Sequence, residues 1–167
     1  LLEIYQQEKE WSKAITVAQA MPNHSDHLWQ KAIAEFYCEL AADELLHGNP
    51  LQARARLDEA LAVNRKCVRA TILLGELEMA AGRNVAAIEA WKCIEQQTPV
   101  YLALVADKLL QAHRQDGREQ QGLQLLRGYL ERHPSLDLLD SVFQAEIKSA
   151  GAEAAYKLVR DELRRNP

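Results

Sequence analysis

The chain has no Cys-x-x-Cys pair. Its three cysteines, Cys38, Cys67 and Cys93, lie far apart in 167 residues. An odd number at wide spacing argues against a disulfide framework or a cysteine-built zinc site, and fits a reducing compartment such as the cytosol. Glycine (seven) and proline (five) are scarce, which argues against a loop-rich fold. No apolar run nears the ~18 residues of a membrane span; Val100 to Ala106, the longest, has seven. Positive charge is not in excess, since 20 Lys and Arg face 24 Asp and Glu for a net −4. That leaves no basic footprint for nucleic acid. Arg160, Arg164 and Arg165 form the most basic stretch, in the last turns of an expected helix, where cations suit the macrodipole.

Catalytic signatures are missing as well. There is no phosphate-cradling glycine loop, no GxSxG and no HExxH. Adjacent carboxylates such as Asp43-Glu44 and Asp161-Glu162 point apart on a helix. His133, Asp140 and Ser141 are close in sequence, but Ser135 or Asp137 as a helix cap is the simpler role for this segment. His24 and His27, three apart, have a metal-compatible spacing but lack the third and fourth ligands a site requires. No enzyme, no cofactor and no metal are expected in these residues.

What is present is helix-forming composition, with Leu, Ala, Glu, Gln and Arg leading and hydrophobic residues at 48%. It is also periodic. Leu74, Gly75, Gly82, Ala87, Ile88, Trp91, Ile94 and Pro99 take positions 7, 8, 15, 20, 21, 24, 27 and 32 of a helical-hairpin repeat, whose period is about 34 residues. A shift of 35 places Leu109, Leu110, Gly117, Leu126, Tyr129 and Pro134 on the same pattern, and a further 33 places Val142, Ala155, Val159 and Pro167. A shift of 34 backwards from the anchor gives Leu40, Ala41, Gly48, Ala53, Leu57 and Ala60, and 39 more gives Tyr5, Trp11 and Ala14. The expected organisation is five hairpins, the first partial, at about 1–22, 34–67, 68–101, 103–136 and 136–167, with a loop insertion around Pro22 to Asp26. The chain starts at Leu1 inside a helical pattern, so it reads as a piece of a longer protein.

Small residues at positions 8 and 20, such as Ala41 with Ala53 and Gly75 with Ala87, let paired helices approach. Gly48, Gly82, Gly117 and Gly151 mark the turns, where a left-handed residue is often needed. Pro99, Pro134 and Pro167 follow second helices and end them. Trp11 and Trp91 occupy packing positions, while Trp29, on the extra segment, is assigned to packing before partner binding. In the fourth hairpin bulk moves from position 20, Gly122, to position 8, Leu110. That hairpin is expected to be looser or displaced.

These motifs resemble the tetratricopeptide repeat (TPR) family over nearly the whole chain. The resemblance implies an all-α, right-handed superhelical solenoid whose first helices line a concave groove for a peptide or helix of another protein. By that pattern positions 2, 5, 9 and 12 face the groove. They are Glu35, Cys38, Ala42 and Leu45 in the second hairpin, Arg69, Ile72, Glu76 and Met79 in the third, and Leu104, Asp107, Gln111 and Arg114 in the fourth. Position 5 carries Cys, Ile and Asp where the carboxylate-clamp repeats that hold chaperone C-termini want Lys, which argues against a chaperone adaptor. Leu45, Ile72 and Met79 suit the apolar face of a partner helix.

A narrower resemblance rests on LLEIYQQEKEWSKAITVA at the start and EFYCELA from Glu35 to Ala41. These stretches resemble the lipopolysaccharide assembly protein B family of Gram-negative bacteria. The resemblance implies a regulator of lipopolysaccharide synthesis at the cytoplasmic side of the inner membrane. It would promote turnover of the deacetylase LpxC by the membrane protease FtsH, so FtsH, LpxC or other inner-membrane lipopolysaccharide factors are the implied partners. It also implies a zinc or iron site only in a C-terminal rubredoxin-like module outside these residues, with no membrane insertion by the repeats themselves. Exposed ends of a repeat stack also favour self-association, so a homodimer is a further expectation. The alternatives are a substrate-selecting repeat domain of a glycosyltransferase and a scaffold for pilus or secretion assembly.

Overall fold

The computed structural model describes residues 1–23 and 25–165, and every regular element among them is a helix. None of these helices is long and apolar enough to cross a membrane. The chain divides into two compact units, Leu1–Leu77 and Glu78–Pro167.

The first unit contains α1 (Leu2–Gln7), α2 (Trp11–Gln19), α3 (His27–Leu46), α4 (Pro50–Val63) and most of α5 (Val68–Ala80). Ala41 and Ala53, the expected crossing residues, are both fully buried in one cluster with Ala34, Leu57, Ala60 and Ala70. With only a methyl at each crossing, α3 and α4 pack closely. A second cluster joins Ala14, Ile15 and Ala18 of α2 to Ile33 and Phe36 of α3, and the rings of Trp11 and Phe36 stack with centroids 6.0 Å apart.

At 20 residues, α3 is longer than a helix of the repeat requires, and it begins at His27, directly after the expected loop and seven residues before the expected start of the hairpin at 34. Its first turns carry Trp29, Ala32 and Ile33, which cover α2. Burying that face of α2 is what the extra turns accomplish, and Trp29 packs there half-buried. Asp26, extended at φ −65° and ψ 145°, starts the helix.

The second unit contains α6 (Asn84–Lys92), α7 (Ile94–Gln97), a 3-10 turn at Pro99–Tyr101, α8 (Leu102–Gln115), α9 (Glu119–Arg132), α10 (Leu136–Ala150) and α11 (Ala152–Arg165). Trp91, Ile94, Leu109, Leu126, Tyr129, Val142 and Ala155, all at repeat packing positions, are buried. Ser135 caps α10 by accepting from the Leu138 N–H at 3.2 Å.

The fourth hairpin is not loosened. An added Cβ on Gly122 would lie 2.9 Å from His113 Cβ and 3.1 Å from Leu110 Cδ1. The helix carrying Gly122 has closed onto the bulk of its partner, and the missing side chain is what permits the approach.

One backbone device closes every hairpin. The N–H at position 16 donates to the carbonyl at position 11: Glu10 to Tyr5 at 2.8 Å, Asn49 to Glu44 at 2.8 Å, Arg83 to Glu78 at 2.9 Å, Arg118 to His113 at 2.8 Å, and Gly151 to Glu146 at 3.1 Å. This six-to-one bond satisfies a helix-end carbonyl, and in the first four hairpins a left-handed residue precedes the donor, whereas in the fifth the donor Gly151 itself takes a positive φ of 88°. Gly48, Gly82 and Gly117 supply the left-handed residue at φ 75°, 74° and 70°. In the first hairpin the same place falls on Lys9, at φ 58°, where a side chain makes the left-handed conformation costly. Lys9→Gly is therefore expected to stabilise the protein by about 0.5–1 kcal/mol, read as a higher urea midpoint. An unchanged or lower midpoint would show that Lys9 bears no strain.

Candidate functional site

The residues assigned to a groove are taken unit by unit. In the first unit Glu35, Cys38 and Leu45 are on α3, and Arg69, Ile72 and Glu76 are on α5. Arg69 Nη1 bonds Glu39 at 2.6 Å and Glu35 at 3.4 Å. Burial works against the Arg69 charge, but Glu39 and Glu35 outweigh it and raise its pKa. These groups are each more than a third exposed. The cluster therefore fixes α3 against α5 at a gain of about 1 kcal/mol or less.

Leu45 is 37% exposed, and Ala42, Ile72 and Glu76 are half-buried. Cys38 is corrected: it is fully buried and lines no surface. The position-5 rule ignores size, and a thiol is small enough to sink between helices, where the Cys67 sulfur meets it at 3.8 Å.

In the second unit Met79 is half-buried, and Asp107, Gln111 and Arg114 are exposed on or beside the polar face of α8. Arg114 donates to Glu119 at 2.6 Å, so its charge is already met within its own hairpin. The neighbouring surface is more open. Val100, Tyr101 and Leu104 are 65%, 45% and 61% exposed. With Ala103, Asp137, Asp140 and Ser141 they line a concavity of about 430 Å³.

Asp137 and Asp140 are both exposed. Part of their role is local, since carboxylates in the first turns of α10 suit its macrodipole. An apolar hollow rimmed by two carboxylates can nevertheless take an apolar side chain next to a cation. Asp137 and Asp140 are positions 2 and 5 of the fifth hairpin, so extending the groove pattern by one period would have found them. Val100 and Tyr101 precede the first helix of their hairpin and fall outside any such pattern.

His133, Asp140 and Ser141 are not brought together as a catalytic group. His133 Nε2 lies 3.2 Å from Glu95, and the Ser141 hydroxyl donates to the Asp137 carbonyl at 3.1 Å. His24 is outside the described residues, and no group of three or more potential metal ligands occurs among those described. Arg165 reaches Glu131 at 3.1 Å, and Arg160 and Arg164 each lie 4.0 Å from Asp161, so the C-terminal arginines are paired on their own surface.

Glu95 also accepts from Arg132 at 2.7 Å. Burial pushes its carboxyl upward, but Arg132 and His133 outweigh that and hold it below the usual value of 4.5. A depressed carboxylate contributes stability above its unfolded pKa and loses it as pH falls through the folded one. Arg132→Ala should therefore cost about 0.5–1 kcal/mol at pH 7, reduced by the exposure of Arg132, and the difference from the parent should be smaller at about pH 3. Urea titrations at the two pH values check this; a cost that persists undiminished in acid would assign the loss to packing.

Helical hairpins recurring at a period of about 34 residues define a repeat protein of the TPR-like class. Structures of the same fold bear this out. MamA superposes with a TM-score of 0.57 at 18% identity, over 99% of this chain and 94% of that one. A Podosopora anserina protein described as a kinesin light chain with nearly identical TPR-like repeats gives 0.55 at 17%, over 98% and 90%.

The sequence homologues carry a more particular name, lipopolysaccharide assembly protein B. The protein of Escherichia coli K12 is 28% identical over 169 residues, spanning all of this chain and 43% of that protein. The Haemophilus influenzae protein is 34% identical over 101 residues, 60% of this chain and 25% of the relative. The chain thus spans less than half the length of these relatives. No family profile matches it.

Proposed function

We propose that this chain is a non-catalytic interaction scaffold that holds a protein segment bearing an apolar side chain beside a basic one. The observation that carries the reading is the concavity formed by Val100, Tyr101 and Leu104 against Asp137 and Asp140. Exposed apolar side chains clustered within a polar rim are the usual composition of a docking surface. The homologues' name supports a role in lipopolysaccharide assembly. With the resemblance described above, it favours a site of action at the cytoplasmic face of the inner membrane and partners among FtsH, LpxC and their neighbours. The mechanism is recruitment: a held partner has a raised effective concentration at the protease.

The test is a pull-down from Gram-negative membrane extract, with the whole chain as bait beside a Leu104→Glu, Asp140→Lys variant. Both positions are exposed, so circular dichroism should show an unchanged fold. FtsH or LpxC recovered by the parent and lost by the folded variant supports the reading. Equal recovery by both would move the contact elsewhere, and loss only on unfolding would remove the site altogether. Arg69→Glu is a poor probe, because it would set a third carboxylate against Glu35 and Glu39.

A further inference from the structure

The first unit holds a pair of thiols that the interaction surface does not use. Cys38 is on α3 and Cys67 immediately precedes α5, and both are buried, at 0% and 3% exposed. Their sulfurs are 3.8 Å apart and unbonded. The Cys67 sulfur also lies 3.8 Å from Glu35 Oε1. The third cysteine, Cys93, is exposed and belongs to the other unit.

The two thiols are not equivalent. Cys67 sits at the start of a 13-residue helix, and its backbone carbonyl accepts from the Thr71 N–H at 3.2 Å. The hydrogen bond with Cys38 holds the Cys67 thiol below its ordinary value; burial opposes this, and a bond from the Ala70 amide adds to it. A helix N-terminus favours a thiolate for the same reason it favours any anion. For Cys38 the bond to Cys67, together with burial, pushes the thiol up. The resting pair is thus a Cys38 thiol directed at the Cys67 sulfur, which is the readier of the two to ionise although the neighbouring Glu35 carboxylate opposes it.

We propose that Cys38 and Cys67 form a hydroperoxide-reactive dithiol that closes to an intramolecular disulfide between the middle of α3 and the start of α5. The Cys67 thiolate attacks one peroxide oxygen and the O–O bond breaks. The departing hydroxide takes up the proton that Cys67 released, leaving one water and a sulfenic acid. The Cys38 sulfur then attacks the Cys67 sulfur and the S–O bond breaks. The oxygen leaves as a second water with the Cys38 proton. Two thiols lose two electrons in total, and one hydrogen peroxide becomes two waters. Bond formation needs the sulfurs to close from 3.8 Å to about 2.05 Å, a movement within reach of the short turn that carries Cys67.

The crosslink joins residues 29 positions apart and encloses α4. It also removes the Cys67 S–H that Glu35 accepts, so that Glu35 is left to Arg69 and the surface these two residues share changes with redox state. The inference stands independently of the proposed function.

The experiment uses the whole chain with Cys93→Ser, treated with hydrogen peroxide, then unfolded in denaturant with iodoacetamide and weighed intact. The expected result is a mass lower by two hydrogens with no alkylation, a Cys38–Cys67 crosslinked peptide, full reversal by dithiothreitol, and a higher unfolding temperature than the reduced protein. Adding Cys38→Ser should divert Cys67 to the sulfinic and sulfonic acids. Should that variant not fold, the mass and peptide map of the Cys93→Ser protein still decide. The proposal is overturned if both thiols remain alkylatable after a peroxide dose that oxidises Cys93 in the parent, if oxygen adds without a crosslink, or if the only disulfide joins two chains.

Discussion

Trp91→Ala should cost about 3–5 kcal/mol, the range for emptying a fully buried tryptophan site. Trp91 is the largest fully buried side chain in the protein, on the inner face of α6 with Ala87 and Ile88. Two effects add: the indole's transfer from water is lost, and its neighbours on rigid helices cannot collapse into the space. Set against a typical total stability of about 5–15 kcal/mol, the change removes a large share. The melting temperature should fall by roughly 6–20 °C for a domain of this size. Because repeat hairpins depend chiefly on their neighbours, amide exchange should accelerate most in Glu78–Pro167. Trp29→Ala is the internal comparison: its side chain is half-buried, and its cost should be distinctly smaller. Equal losses at the two tryptophans would contradict the packing described here.

The second large effect concerns the fully buried carboxylate of Glu146 on α10, which meets Arg127 of α9. The other carboxylate oxygen, Oε2, has no hydrogen-bond partner. Arg127→Met would leave a buried charge without its cation, a change worth 3–5 kcal/mol in enclosed pairs. Arg127 is 45% exposed, and solvent screening lowers the expectation to about 2–3 kcal/mol. Combining it with Glu146→Leu should restore most of the loss, since an apolar pair of similar volume is often neutral or better. A double-mutant cycle measures the coupling. A double variant no more stable than Arg127→Met would mean that the arginine's alkyl stem, and not the charge, is what matters.

The residues whose structural role was legible are those whose chemistry leaves one option at one period. Gly48, Gly82 and Gly117 occupy left-handed turns because the repeat places them there and few other residues tolerate the conformation. Ala41 with Ala53, and Trp91, follow from size at a crossing or packing position. The extra turns of α3 were hidden because Pro22, Asn23, Ser25 and Asp26 signal a turn, while the helix resumes at His27 to cover α2. That cover is a tertiary demand with no local signature. Cys38 was misplaced because the repeat pattern specifies a direction but not a depth. Gly122 was read as a weakness because its helix propensity is local, whereas its benefit depends on His113 and Leu110 from the preceding helix. The concavity edged by Asp137 and Asp140 was half legible: its acidic residues obey the period, while its apolar wall comes partly from a 3-10 turn outside it.

The hairpin closure has a consequence for how such a chain can be rearranged. Each closing bond spans five positions, as from Asn49 to Glu44, and two of them are duplicated by side chains at the same two positions, Asn49 with Glu44 and Arg83 with Glu78. Everything that reverses the chain is thus written in six consecutive residues. A hairpin copied, deleted or transplanted into a foreign array brings its own corner with it, and only the faces that stack must be refitted. Duplication of such a segment starts from a correctly folded bend, so drift in number is easier for this architecture than drift in turn.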